Sequence, residues 1–200
     1  RLKITLDDVK PTVMRRVEVP LAIKLSDLHL VIQVTMPWGN YRLYEFRVRD
    51  INSRYISWGI PARDWDFGDG PLDARKTTLL DVLEDTGAKS LKYLYDFGDG
   101  WQHTVKVEGI AATELWKTYP RLLTAQRRCP PEDVGGPWGY AKYLEAMGDA
   151  NHERHEEMIA WRGPDFVPQI VDVAMIEKEF TKLIKRRSRR KTKSPRVKSD

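Results

Sequence analysis

The chain has one cysteine, Cys129, only four histidines, and no apolar run approaching the roughly 20 residues that a membrane-spanning helix needs. A single thiol excludes an intrachain disulfide, which accords with a reducing compartment. The Arg-first end has no apolar stretch of the kind found in a secretory signal. A cytoplasmic location without membrane contact is the expectation. Cys-x-x-Cys and His-Glu-x-x-His are both missing. A kinase reading of Asp-Phe-Gly fails for want of a glycine-rich loop, a Val-Ala-Ile-Lys strand and a His-Arg-Asp loop. An EF-hand reading of Asp64, Asp66 and Asp69 fails because Asp69 stands where that loop requires Gly. No cofactor is expected.

What is present suffices for a folded domain: 41% hydrophobic residues, with seven Trp and eight Tyr, can bury a substantial core. The charge is unevenly divided. Residues 182–200 hold ten Lys or Arg against one Asp, and subtracting that +9 from the overall +5 leaves −4 for the other 181 residues. The body is mildly acidic and the basicity belongs to one end. The division predicts a single domain over 1–184 and a basic tail over 185–200.

The pentapeptide DFGDG occurs twice, at Asp66 to Gly70 and at Asp96 to Gly100. The second copy lies between LKYLYD and WQHTVKVEG, where Trp101, His103, Val105 and Val107 alternate with polar residues. That context predicts a β-hairpin over 91–109, with Gly supplying positive φ and Asp bonding the neighbouring backbone. The first copy has no alternating flanks and reads as part of a long loop over 59–76.

Elsewhere, two Val-, Ile- and Thr-rich runs around Lys10-Pro11 predict an opening hairpin. Leu28, Val31, Ile32 and Thr35 then predict a helix with Ser26 as its N-cap. Tyr44, Phe46 and Val48 alternate as a half-buried strand, and a short strand is expected at Tyr55 to Trp58. Thr78 and Asp81 are spaced as a capping box for a short helix. RRCPPEDVGGPWGY is a loop by composition. Helices are expected over 139–147, 151–161 and from Asp172 to about Arg187, with Asn151 and Asp172 as caps. Together these predict an α+β fold: a mixed sheet with a β-grasp-like start of hairpin, helix and strand, the further hairpin, and C-terminal helices packed on it.

Three segments in order, YLYDFGDGWQHTVKVE, RRCPPEDVGGPWGYAKYLEAM and DANHERHEEMIAWRGPDFVP, together with the opening LKITL and PTVMRRVEVP, resemble the Ri-plasmid ORF-three-like family over roughly residues 2–170. The resemblance implies a small α+β domain often carried on plasmids or as a passenger of transposable elements. Some members bear the label of transposon resolvase. The residues do not support recombination by this chain: Arg15 and Arg16 sit in a strand with no nearby Ser, and His152, Arg154 and His155 are expected on an acidic helix that repels phosphate. The segments that carry the resemblance single out Asp96, Phe97, Gly98, Asp99, Glu132, Asp133, Gly135 and Gly136 as motif residues.

Two chemistries are weighed. His103, Cys129, Asp133, His152 and His155, with Asp96, Asp99 and Glu132 nearby in type, are the candidate metal ligands, and His152 and His155 three apart on a helix can face one way. The alternative is a core histidine and a capped, charge-rich helix. Glu132 and Asp133 are either an acid–base pair or acids that bond backbone N–H groups in a rigid connector. Trp38, Trp58, Trp65, Trp101, Trp138 and Trp161 are either a base-stacking platform or core and loop anchors. The tail is a candidate polyanion contact through Lys185, Arg186, Arg187, Arg189, Arg190, Lys191 and Lys193. The expected function is a non-enzymatic binding or accessory protein of a plasmid or transposable element, its tail contacting DNA or RNA and its acidic body a protein partner. The alternative is a metal-dependent hydrolase or nuclease using the histidine and carboxylate cluster.

Overall fold

Period-two alternation sends one side of each main strand into a shared core. In register across the sheet, Leu6, His103, Tyr93, Phe46 and Trp58 form one buried row, and Arg15, Ile4, Val105 and Leu91 form the next. The computed structural model describes residues 1–50, 52, 54–61 and 70–193. Among them are β1 (Leu2–Leu6), β2 (Met14–Glu18), α1 (Leu25–Thr35), β3 (Tyr44–Arg49), β4 (Tyr55–Gly59), β5 (Leu72–Asp73), α2 (Leu79–Thr86), β6 (Ser90–Tyr95), β7 (Trp101–Val107), β8 (Arg121–Gln126), α3 (Gly136–Gly148), α4 (His155–Arg162) and α5 (Val173–Lys193).

The eight described strands form one sheet in the order β5-β4-β3-β6-β7-β1-β2-β8. Every pairing is antiparallel except β4 with β5, so the sheet is mixed and the fold is α+β. The opening order of hairpin, helix and strand is as expected, and β3 enters the sheet beyond β7 and β6. The hairpin of β6 and β7 has its expected place and register.

Helices cover the buried face. Leu25, Leu28, Val31 and Ile32 of α1 join the core, as do Tyr140 and Tyr143 of α3 and Met158 of α4. α5 packs against α1 and β8 through Ile176, Phe180 and Leu183, spaced four and three apart on one helical face. Each such side chain contributes roughly 1.5–3 kcal/mol by leaving water. The opposite face of the sheet is polar: Arg16 pairs with Glu108 at 2.6 Å, Lys92 with Asp7 at 2.7 Å, and Arg49 lies 4.9 Å over the Tyr55 ring.

A polar network crosses the core under α1. His29 Nδ1 meets the Tyr93 hydroxyl at 2.7 Å and Nε2 meets Asn40 Oδ1 at 2.6 Å. Because an amide oxygen only accepts, Nε2 carries the proton and Nδ1 accepts from Tyr93, which in turn accepts from Gln33 at 3.0 Å. His29 is therefore neutral, and burial holds its pKa down to about 4.

Several expectations need correction. Ser26 does not cap α1: Lys24 holds that position without a side-chain bond, and the first N–H groups of the helix donate to carbonyls of the neighbouring loop, Leu25 to Thr77 and Ser26 to Ala74. A short strand, β5, interrupts the expected loop over 59–76, and β8 was not foreseen. α3 starts at Gly136 instead of Gly139, since Pro137 in the first turn loses no helical hydrogen bond. Asn151 does not cap α4, which begins only at His155. α5, expected to end at about Arg187, continues to Lys193. The Thr78–Asp81 capping box is present, and Asp172 accepts from the N–H of Met175 at the start of α5. Apart from Gly70, the first DFGDG copy lies outside the described residues, as does Trp65.

Candidate functional site

The motif residues meet at one joint. The turn between β6 and β7 is shaped by Asp96, whose Oδ1 accepts from the N–H of Gly98 at 3.0 Å while its carbonyl accepts from Gly100 at 2.7 Å. Positive φ falls on Asp96 and Gly100 and not on Gly98, a correction to the simplest turn reading. Phe97 at the tip is exposed. Two residues on, Asp99 reaches the loop that precedes α3: its Oδ2 accepts from the N–H of Gly135 at 3.3 Å. A carboxylate at a helix N-terminus offsets the positive end of the helix dipole.

The loop residues Cys129 to Asp133 are tied down in the same region. Glu132 accepts from the Tyr95 hydroxyl at 3.0 Å and from the N–H of Gly39 at 2.9 Å, and its carbonyl accepts from Arg162 at 2.7 Å. Trp38 donates its indole N–H to the Pro130 carbonyl at 3.0 Å. Arg42 bridges the two motifs, 2.7 Å from Asp133 and 3.5 Å from Asp96. Burial, with Glu132 beside it, pushes the Tyr95 phenol up to about 12. The four acids of the joint are thus engaged by backbone N–H groups, a phenol and a guanidinium. This bonding ties the β6–β7 turn to the loop before α3.

The five candidate metal ligands are not brought together. Among the described residues no group of three or more His, Cys, Asp or Glu is placed to hold a metal ion. His103 is fully buried in the central row of the sheet, its Nδ1 near the carbonyls of Tyr93 and Trp101, and burial lowers its pKa to about 4. Cys129 is buried in the loop before α3, and burial pushes its thiol pKa up. Asp133 is held by Arg42. His152 and His155 do not share a helical face: Asp149 turns the chain onto Asn151, His152 Nδ1 accepts from the N–H of Arg154, and the helix starts after both turns. His155 instead contacts the Ala146 carbonyl at 2.7 Å.

The aromatic candidates divide by burial. Trp38, Trp58 and Trp101 lie in the core, whereas Trp138 and Trp161 are 72% and 40% exposed. The two exposed indoles flank a groove of about 590 Å³ between α3 and α4, with Met158 and Tyr143 in its wall and Lys142 3.5 Å over the Trp138 ring. The basic candidates from Lys185 to Lys193 fall on the last turns of α5, beyond the anchoring Ile176, Phe180 and Leu183. Sequence reasoning missed Arg15, which is wholly buried and turned into the core.

The family model for plasmid pRiA4b ORF-3-like proteins matches residues 1–175. The chain is 50% identical over 196 residues to the uncharacterized protein y4hQ of Sinorhizobium fredii, covering 96% of this chain and 97% of that one. It is also similar to the crystal structure of a protein of unknown function, MM3350, from Methanosarcina mazei, with a TM-score of 0.77 at 35% identity over 86% of this chain and 94% of that one.

Proposed function

This chain belongs to the plasmid pRiA4b ORF-3-like family, and from that footing we propose that it is a non-enzymatic accessory protein of a plasmid or transposable element whose basic C-terminal end contacts nucleic acid. One observation carries the reading: α5 continues unbroken from its buried anchors to Lys193, so seven Lys or Arg among its last nine residues are carried on a helix fixed to the body. An ordered helix loses less conformational entropy on meeting phosphates than a free chain does. Each phosphate neutralised releases counterions, which makes such binding steeply salt-dependent. The family match stops at residue 175, short of the basic end. In this reading the domain ends at 184, the arm spans 185–200, and the protein works in the cytoplasm. Among the described residues no helix is long and apolar enough to cross a membrane.

The acidic body meets a protein partner in the same reading, and the exposed Trp138 and Trp161 beside the α3–α4 groove are where that contact is expected. The metal-dependent hydrolase reading is not favoured, because His103, Cys129, Asp133, His152 and His155 are dispersed and separately bonded.

The test is fluorescence anisotropy with short duplex DNA and with RNA, comparing the full chain with a version ending at Ile184. Binding by the full chain that weakens steeply with salt and disappears on truncation supports the arm. Equal binding by both, or by neither, sinks it.

A further inference from the structure

From the core face of β2, Arg15 leads to a site that neither the motif joint nor the basic arm uses. Its side chain is 0% exposed. Nε donates to the Thr35 carbonyl at 2.7 Å, and Nη1 donates to the carbonyls of Met14 at 2.8 Å and Gln126 at 3.0 Å. Among the described residues Nη2 has no hydrogen-bond partner and no carboxylate pairs with this guanidinium. A guanidinium stays protonated in proteins, so a full positive charge is held in the core by carbonyl dipoles alone, with one nitrogen unsatisfied. The Cys129 thiol lies close enough to act on Arg15 electrostatically, but burial raises its pKa and keeps it neutral.

Arg15 and Cys129 both line a cavity of about 570 Å³, a volume within the range of small-molecule sites. Its walls are mixed, with Met36, Trp38, Phe166, Val171 and Met175 supplying the apolar part. Arg128 and Arg162 also line it, each donating to a backbone carbonyl and, among the described residues, neither in an ion pair, and Arg128 lies 4.8 Å over the Phe166 ring. Three acids share the lining. Glu132 has both oxygens occupied by Tyr95 and Gly39, Asp172 caps α5, and Asp165 is exposed.

We infer that this cavity binds a small monocarboxylic acid with an apolar or aromatic body, its carboxylate pairing with the Arg15 guanidinium after uncovering Nη2, of which less than 1 Å² is accessible. One negative charge satisfies the one unpaired cation of the wholly buried side chain, and the apolar part of the walls accepts the remainder of the molecule. A phosphate monoester is disfavoured, since it brings a second negative charge to a lining whose three arginines, Arg15, Arg128 and Arg162, are already matched in number by Glu132, Asp165 and Asp172. The inference is independent of the nucleic-acid reading, because the cavity lies on the body and α5 contributes to it only near Met175.

The experiment titrates the full chain, by calorimetry and by tryptophan fluorescence reporting on Trp38, with benzoate, phenylacetate and hexanoate. Their neutral amides and inorganic phosphate serve as comparisons. At least one carboxylate is expected to bind with a Kd below roughly 1 mM and at least about tenfold more tightly than its amide. Arg15→Met, which keeps the volume and removes the charge, is expected to abolish that difference. Met175→Trp, which fills the cavity from its exposed side and leaves Arg15 untouched, is expected to weaken every ligand at least about tenfold and decides the matter where Arg15→Met fails to fold. Bound carboxylate is also expected to slow alkylation of Cys129. No carboxylate binding, equal binding of acid and amide, unchanged binding in Met175→Trp, or phosphate binding in place of carboxylates would each overturn the inference.

Discussion

The carbonyl oxygen of Asp99 stands 2.3 Å from where a Cβ on Gly136 would lie. The same glycine has φ +69, a conformation that costs a side-chain-bearing residue roughly 1–2 kcal/mol. Two motif segments far apart in the chain are therefore fitted to each other at a position where only glycine fits. Gly136→Ala is expected to destabilise the fold by about 2–4 kcal/mol, combining the backbone strain with the overpacking. Gly148→Ala, at the other end of α3 in open space and with ordinary φ, is the control and is expected to shift the urea midpoint little.

Tyr95→Phe removes the hydroxyl that donates to Glu132 and accepts from the N–H of Tyr41. The ring packing against Trp38 is kept. A loss of about 1–3 kcal/mol in chemical denaturation is expected, from partners left short of a bond. A loss no larger than that of an exposed Tyr55→Phe substitution would show that the joint contributes nothing through this phenol.

Acid should weaken the fold before most carboxylates titrate. His29 and His103 hold a pKa of about 4 in the folded chain against an ordinary 6.5. Between those values the unfolded chain takes up protons that the folded chain does not, so stability falls as pH drops from 6.5 towards 4. These two groups leave stability level above 6.5. The limiting slope is about 1.4 kcal/mol per pH unit for each histidine. Denaturant titrations at several pH values measure it, and His29→Gln should flatten the curve. A curve as steep in the variant as in the parent would remove His29 from the account.

For the basic arm, the logarithm of the DNA association constant is expected to fall with the logarithm of salt concentration. The slope approaches about −0.9 for each phosphate neutralised. Replacing Lys185 and Arg186 together with Gln should reduce it by roughly 2. Weakening that is uniform across DNA sequences marks phosphate contact, whereas loss confined to one sequence points to base reading.

Phe180→Ala tests the anchor of that arm. Removing a buried ring from the seat of α5 is expected to cost about 3–5 kcal/mol. Proteolytic nicking should then increase within α5 before the sheet opens.

Local chemistry made much of this legible in the sequence. Alternation at Tyr44, Phe46 and Val48 and at Trp101, His103 and Val105 placed strands and their inward faces. The Thr78–Asp81 spacing placed a cap because both partners lie within one helical turn. Ser26 misled because the satisfying acceptors come from the backbone of residues 74 and 77, which no local pattern reports. Of the neighbours Arg15 and Arg16, one is the most deeply buried cation among the described residues and the other an open-face ion pair. The distinction rests on carbonyls of Thr35 and Gln126, supplied by α1 and by a strand the sequence did not announce. The motif residues were visible as turn chemistry, but their meeting across Asp99 and Gly136 depends on how β7 and α3 are brought together.

The position of β1 carries a consequence for the order of assembly. It lies inside the sheet, with β2 on one side and β7 on the other. The ladder from Leu2 to Leu6 closes only when Val107 to His103 are at hand. A nascent chain that has passed β2 but not reached β7 therefore offers Leu2, Ile4 and Leu6 on an unpaired strand edge, a template for association with other chains. Long-range pairing of this kind is slow to form. The interval between the second strand and the DFGDG hairpin is thus the period of synthesis in which the chain most depends on chaperone shielding.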